Sequence, residues 1–438
     1  MKKNIRTRAT ESLDRTVQKL RETLNAGGIL NIAYSGYELN RTGYMEISLY
    51  TASQLLWAIS ICDNIERTDT LPTSIRGEIF KALSNKESNS ESRLFSDAFM
   101  LWGLSSSNTV NIEDPLYKKL VERIIIMQKQ DGSWGTYSSA DDGSVRGTSL
   151  AIIALTEYVR IMGKNVCNDA NLPISSIIQK GIQWLFDKFD NDLLWDSDRR
   201  REGVDKNTYM EHFEIRVERN SLAIYAILHS INSACFHASK DELAKLNTAL
   251  NILEKIDFKM ATFVAEIEDE VYTNDKGNTE THLHGAGGLE FYILMVLELR
   301  RSNIKDHLFH YSMYINLDRA VEQFLKCERN GAWKDKNTNN IARWTTAHAI
   351  RVLSEYKKPL SEIEISKYII AVILKFLYGL KKVLLNPISI IVIGLSIIVI
   401  MIANNKDISP QILAASGYLS LLALLIAPII NKVRQKER

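Results

Sequence analysis

The stretch QKQDGSWG at 128–135, followed at 147–158 by GTSLAIIALTEY, decides how this chain folds. Before it, residues 116–129 put charges on one helical face and apolar residues on the other, whereas the segment after it is apolar on nearly every side. Gly132 can end the first helix in a left-handed turn. Gln128 and Trp134 can cap neighbouring helix ends and fill the seam between them. The stretch reads as a clasp joining an amphipathic helix that meets water to an apolar helix that is covered.

The same alternation recurs through residues 1–356, where apolar positions repeat at i, i+3 and i+4 and the two-residue pattern of strands is almost absent. Six segments share a small residue near the start and an apolar run after it: YTASQLLWAISI, SDAFMLWGL, GTSLAIIALTEY, NSLAIYAIL, GGLEFYILMVLEL and TTAHAIRVL, with Ala52, Ala98, Ala151, Ala223, Gly287 and Ala347 as anchors. Amphipathic partners are predicted at 12–25, 74–84, 116–129, 174–189, 240–256 and 318–326. Two concentric layers accommodate both kinds, because the inner helix is covered and the outer one is wetted. The expected fold is all-α, an (α/α)6 toroid of six helical hairpins, with an open solenoid as the competing arrangement.

The clasp is a full Q-x-x-x-G-x-W. It resembles the QW motif of terpene cyclases, the squalene and oxidosqualene cyclase group, which share an (α/α)6 toroid with the β subunits of protein prenyltransferases. Partial copies add to the likeness. Lys180-Gly181-Ile-Gln-Trp184-Leu185 is similar to the opening half of the motif, with Leu193 in the glycine position before Trp195. Arg319-Ala320, Phe324-Leu325 and Gly331-Ala-Trp333 are similar to nearly all of it, with Cys327 in the glutamine position. QDGSWG feeding GTSLAIIALTEY is also similar to the QW turn of plant-type diterpene cyclases. The resemblance covers 115–356 by motif and the rest of the body by periodicity. It implies an isoprenoid substrate class, while the same fold serves cyclases, prenyltransferases and non-catalytic binders.

Terpene cyclases of this fold protonate an alkene or epoxide with an aspartate of a D-x-D-D motif, and none occurs here. The nearest string gives Asp141 and Asp142 as catalytic candidates, just before an inner helix; the alternative is a solvated turn with Gly143 and Ser144. Glu266 to Glu270 reads as a solvated acidic loop. The zinc-ligand spacing of protein prenyltransferases is absent, since no cysteine stands near His282, His284 or His348, and D-D-x-x-D is missing too. No metal and no cofactor is expected. If the inner helices run parallel, their positive ends gather at one opening. Arg146, Arg219, His284 and Arg343 would then surround an anionic head there, or pair with Asp141, Asp142, Glu214 and Glu218 in the same loops. Trp102, Tyr225, Phe291, Tyr292 and Trp344 either line an apolar cavity or pack between helices.

Among the 438 residues, 45% apolar and 24% charged exclude a disordered or fibrous chain, and 54 basic against 52 acidic residues give no reason to expect a nucleic-acid partner. That balance hides a split. Residues 357–438 hold eleven basic residues against four acidic ones, which leaves residues 1–356 mildly acidic. Within this tail, 383–403 gives 21 largely apolar positions and 412–430 gives 19 uncharged ones, close to the roughly 20 that cross a bilayer as helix. Lys375, Lys381 and Lys382 precede the pair, and Lys432, Arg434, Lys436 and Arg438 follow it, so both flanks are expected on the cytoplasmic side. The expected domains are the toroid at 1–356, a basic juxtamembrane helix at 357–385 that lies on or crosses the membrane, and two transmembrane helices at 386–438. No secretory signal is read at the start, and Cys62, Cys167, Cys235 and Cys327, with no C-x-x-C pair, fit a reducing compartment.

Two functions fit. The first is a membrane-anchored protein of the terpene cyclase/prenyltransferase kind that acts on or binds an isoprenoid lipid at the cytoplasmic face. The second is a non-catalytic sensor toroid whose two spans oligomerise or disturb the bilayer.

Overall fold

The structure, a computed structural model, describes residues 4–27, 49–62, 94–106, 115–135, 142–163, 165–168, 171–191, 194–195, 213–254, 267–273, 279–283, 289–302, 311–333 and 343–358. The chain divides into two compact units, Met1–Ala371 and Val372–Arg438. The expected spans and the stretch 359–385 lie outside the described residues, among which no helix is long and apolar enough to cross a membrane.

The described part is mostly helical. Its helices are α1 (Ile5–Gly27), α2 (Leu49–Ile59), α3 (Leu94–Ser106), α4 (Pro115–Ile126), α5 (Val145–Met162), α6 (Ile174–Asp187), α7 (Phe213–Asn232), α8 (Lys240–Leu253), α9 (Leu289–Arg301), α10 (Tyr311–Leu325) and α11 (Arg343–Lys357). Of the predicted amphipathic partners, 74–84 lies outside the described residues, and 240–256 is described as far as residue 254. Local chemistry sets the ends: the Ser144 side chain accepts from Gly147 N to start α5, and Ser239 with Glu242 forms a capping box at α8.

Two short hairpins depart from the all-helical expectation. The acidic segment expected as a solvated loop instead forms β1 (Ile267–Thr273), antiparallel to β2 (Thr279–Leu283), with Glu268 opposite His282. Its Ile, Val, Tyr and Thr favour extended backbone, and 274–278 (NDKGN) supplies turn chemistry between the runs. The second hairpin pairs β3 (Glu328–Arg329) with β4 (Ala332–Trp333).

α3, α5 and α9 are buried along most of their length, as an inner layer requires. In order of packing, α2 meets α3, α3 meets α5, α5 meets α7, α7 meets α9, α9 meets α11, and α11 returns to α2. The amphipathic helices sit outside: α4 on α3, α6 on α5 and α7, α8 on α7, α10 on α9, and α1 on α10 and α11. The inner helices are parallel where contacts fix their direction. Near the N-termini Arg146 of α5 pairs with Glu218 of α7, and near the C-termini Thr156 and Ser230 of the same helices share a hydrogen bond of 2.9 Å.

The clasp forms in three dimensions. Gln128 Nε2 donates to Gly132 O and to Ile177 O of α6, both at 3.0 Å, and buried Trp134 donates from Nε1 to Ile124 O of α4 at 2.7 Å. Gly132 has a φ of +93°, and a Cβ on it would lie 2.6 Å from Lys180 O of α6. Trp195 repeats the tryptophan bond, donating to Leu185 O at 2.7 Å, although no glycine precedes it and Leu194 takes the positive φ instead. In the last copy, a Cβ on Gly331 would stand 2.5 Å from Arg15 O of α1, and Trp333 donates to Thr16 Oγ1 at 3.2 Å. The turn after α4 therefore grips α6, and the turn after α10 grips α1.

Candidate functional site

Aromatic side chains from five inner helices meet in one cluster. The Trp57 ring of α2 lies 5.0 Å from Phe99 and 4.8 Å from Trp102 of α3, and 5.2 Å from His348 of α11. Phe291 of α9 stands edge-on to His348 at 5.6 Å, and Glu290 beside it places Oε1 3.4 Å from His348 Nδ1. Trp102 also reaches Tyr225 of α7 at 5.7 Å, although α5 separates α3 from α7 in the order of neighbours. These rings therefore face a shared interior rather than a single seam.

Toward the C-terminal ends, the interior becomes ionic. His229 of α7 lies between Glu157 of α5 (3.2 Å) and Glu298 of α9 (3.3 Å), and Asn232 also donates to Glu298 at 2.8 Å. Arg160 pairs with Glu157, Arg301 reaches Glu298 and Glu355, and Glu355 of α11 is shared with Arg351 and Lys358. Arg351 extends the chain of contacts to α2 and α3 by donating to Trp57 O, Ser60 Oγ and Ser106 Oγ. One connected set of polar bonds thus touches all six inner helices. Burial alone would lower the His229 pKa, but Glu157 and Glu298 outweigh it and hold the imidazole up at about 10. Burial likewise opposes the Glu157 charge, yet His229 and Arg160 hold that carboxyl down at about 2.

The N-terminal ends carry separate pairs. Arg146 faces Glu218 at 3.6 Å and lies 4.8 Å over the Phe95 ring. Asp97, in the first turn of α3, pairs with Arg123 of α4 at 3.1 Å; its burial raises the carboxyl to about 7 against the pull of Arg123.

The predicted site residues fall into distinct places. Asp142 is exposed, two residues before the Ser144 cap of α5. Asp141 and His284 lie outside the described residues, as do the side chains of Arg343 and Trp344 at the start of α11. Arg146 takes the salt-bridged alternative with Glu218, and Arg219 is half-buried one position further along the same helix. Trp102 and Tyr225 join the interior cluster, Phe291 touches it through His348, and Tyr292 is fully buried, with burial pushing its pKa up. Sequence reasoning missed the ionic set. Its signal was present, because Glu157, His229 and Glu298 are isolated polar residues inside apolar runs, but their spacing obeys no motif. No family model matches this chain, and no curated protein does either.

Proposed function

We propose that the body is an (α/α)6 toroid of the terpene cyclase/prenyltransferase kind. In this reading its interior holds an isoprenoid chain, and two C-terminal spans keep it at the cytoplasmic membrane face. The observation that carries the reading is the cluster of Trp57, Phe99, Trp102, Tyr225, Phe291 and His348, drawn from five inner helices, because polarisable ring faces suit an unsaturated hydrocarbon. The cyclic order of helix neighbours and the matching clasps at Gly132 and Gly331 support the toroid. Anchoring would let a long apolar ligand pass from bilayer to interior without crossing bulk water. Binding is better supported than catalysis, because Asp142 is exposed and the sequence holds no D-x-D-D motif.

The test is detergent extraction of full-length protein followed by mass spectrometry of co-purifying lipid. A stoichiometric polyprenyl species is the expected result; an extract holding only bulk phospholipid sinks the isoprenoid reading.

A sensor coupled to a two-span effector is the second reading. It is favoured by the ties at the end of α11, the last described element before the tail, where Arg6 donates to Lys357 O and Lys358 O, and Arg301 and Lys358 share Glu355. Growth arrest on expression of the full chain, absent for a chain ending at Lys357 and accompanied by no bound lipid, would select it.

A further inference from the structure

We propose that the wedge where α2, α3 and α11 meet is a binding site for an oxyanion, the carboxylate or phosphate head of an apolar ligand. The claim that the ligand carries an isoprenoid tail rests on the function proposed above; the claim of an oxyanion site does not.

Three buried N–H groups within this wedge have no acceptor: Nε1 of Trp57, Nε1 of Trp102 and Nε of Arg351. They belong to one cluster, since the Arg351 guanidinium lies 5.2 Å over the Trp57 ring and 5.4 Å over the Trp102 ring. Both tryptophans are 0% exposed and Arg351 is 3% exposed, so bulk water does not serve these donors. Gln54, one turn before Trp57 on α2 and also 0% exposed, has neither amide atom partnered.

Burying a donor without an acceptor is unfavourable, so gathering several in one place calls for something that accepts from them. The chemistry of the set selects the occupant. A water molecule brings two hydrogens that need acceptors, and among these four side chains the one orphaned acceptor is Gln54 Oε1 against four orphaned donor atoms. A carboxylate or phosphate only accepts, and its charge shortens and strengthens each bond. The local charge has the right sign, because Arg301, Arg351 and Lys358 share Glu355 while Arg301 also reaches Glu298, three cations against two carboxylates. The remaining Arg351 donors are committed to Trp57 O, Ser60 and Ser106, which holds the guanidinium plane fixed and leaves Nε–H as the available edge. This places the head deep, at the level of the rings, rather than among the cations at the N-terminal ends.

The test measures binding to full-length protein in neutral detergent for four probes: farnesyl phosphate, farnesol, oleate and inorganic phosphate. Farnesyl phosphate is expected to bind at least ~10-fold more tightly than farnesol, the value of one charge-assisted hydrogen bond or more. Trp102→Phe and Trp57→Phe delete the donors and also shrink a buried ring, so each should weaken both farnesyl probes, but farnesyl phosphate by about 10-fold more than farnesol. Tight oleate with neither farnesyl probe bound supports the site while removing the isoprenoid tail. Farnesol equal to farnesyl phosphate overturns the site while keeping the isoprenoid. No probe bound above buffer, or both tryptophan variants indistinguishable from wild type, also overturns it.

Discussion

At Gly132 two separate costs fall on any side chain: a φ of +93°, and a Cβ that would lie 2.6 Å from the backbone oxygen of Lys180. Gly163 has nearly the same φ, +92°, but open space around its Cβ position. Alanine at Gly163 should therefore cost only the backbone term, about 1–2 kcal/mol. Gly132→Ala must also push α6 away from the turn and should cost about 3 kcal/mol or more. Urea denaturation of the two variants separates the terms; equal losses would mean that the clasp does not hold α6. His229 makes a second prediction. Its pKa is about 10 in the fold against 6.5 in the open chain, so its contribution is complete below pH 6.5 and is lost as pH rises through 10. Glu157, at about 2 against 4.5, contributes fully above pH 4.5 and loses that contribution as pH falls through 2. Replacing His229 by Gln leaves two buried carboxylates facing each other and should cost about 3–5 kcal/mol near pH 6.5. It should also abolish the decline of wild-type stability between pH 6.5 and 10, which chemical denaturation at several pH values would read.

Among elements, the join between α1 and α11 decides how the end of the body is held. Arg6 donates to Lys357 O at 3.0 Å and Lys358 O at 2.6 Å, filling carbonyls that a helix C-terminus leaves without partners. Arg6→Ala should lower global stability by only about 1 kcal/mol but accelerate amide exchange over 352–358 selectively. Uniform acceleration along α11 would show instead that Arg6 supports the whole helix. None of this was legible in the sequence, because Arg6 and Lys357 are separated by 351 positions and neither belongs to a motif. The clasp was legible for the opposite reason. Gln128, Gly132 and Trp134 act within one turn, so their chemistry is written in consecutive residues. The β1–β2 hairpin was misread because charge dominated the reading of IEDEVYT, whereas the backbone follows its β-branched and aromatic residues. The interior rings were half legible: Trp102, Tyr225 and Phe291 were named from helical position and His348 was weighed only as a zinc ligand, but Trp57 and Phe99 looked like any other residue of an apolar helix.

For the whole molecule, the question is whether the helical pairs form a ring or an arc, and the two differ in one interface. In an arc, the first and last hairpins each end on solvent and the termini are far apart. Here α1 packs against both α10 and α11, α11 packs against α2, and Arg6 bonds the carbonyls at the end of α11. Periodicity could not reveal this, because a repeat pattern is the same whether its ends meet or not. A circular permutant of the body distinguishes them: residue 358 joined to residue 4 by a short Gly/Ser linker, with new termini opened in the 163–173 connection. A ring keeps every helix neighbour and loses only one inner-to-outer connection, so its denaturation midpoint should stay within about 1–2 kcal/mol of the unpermuted body. The comparison variant opens new termini in the same connection but leaves 4 and 358 unjoined. If the first and last hairpins are bound as the structure has them, the two pieces should still associate, with a stability that depends on protein concentration. An arc predicts the reverse: the linker would strain two distant ends, the permutant would unfold or form head-to-tail oligomers, and the separate pieces would not associate through α1 and α11. Sedimentation of both variants, beside their urea midpoints, decides between the two shapes without reference to any ligand.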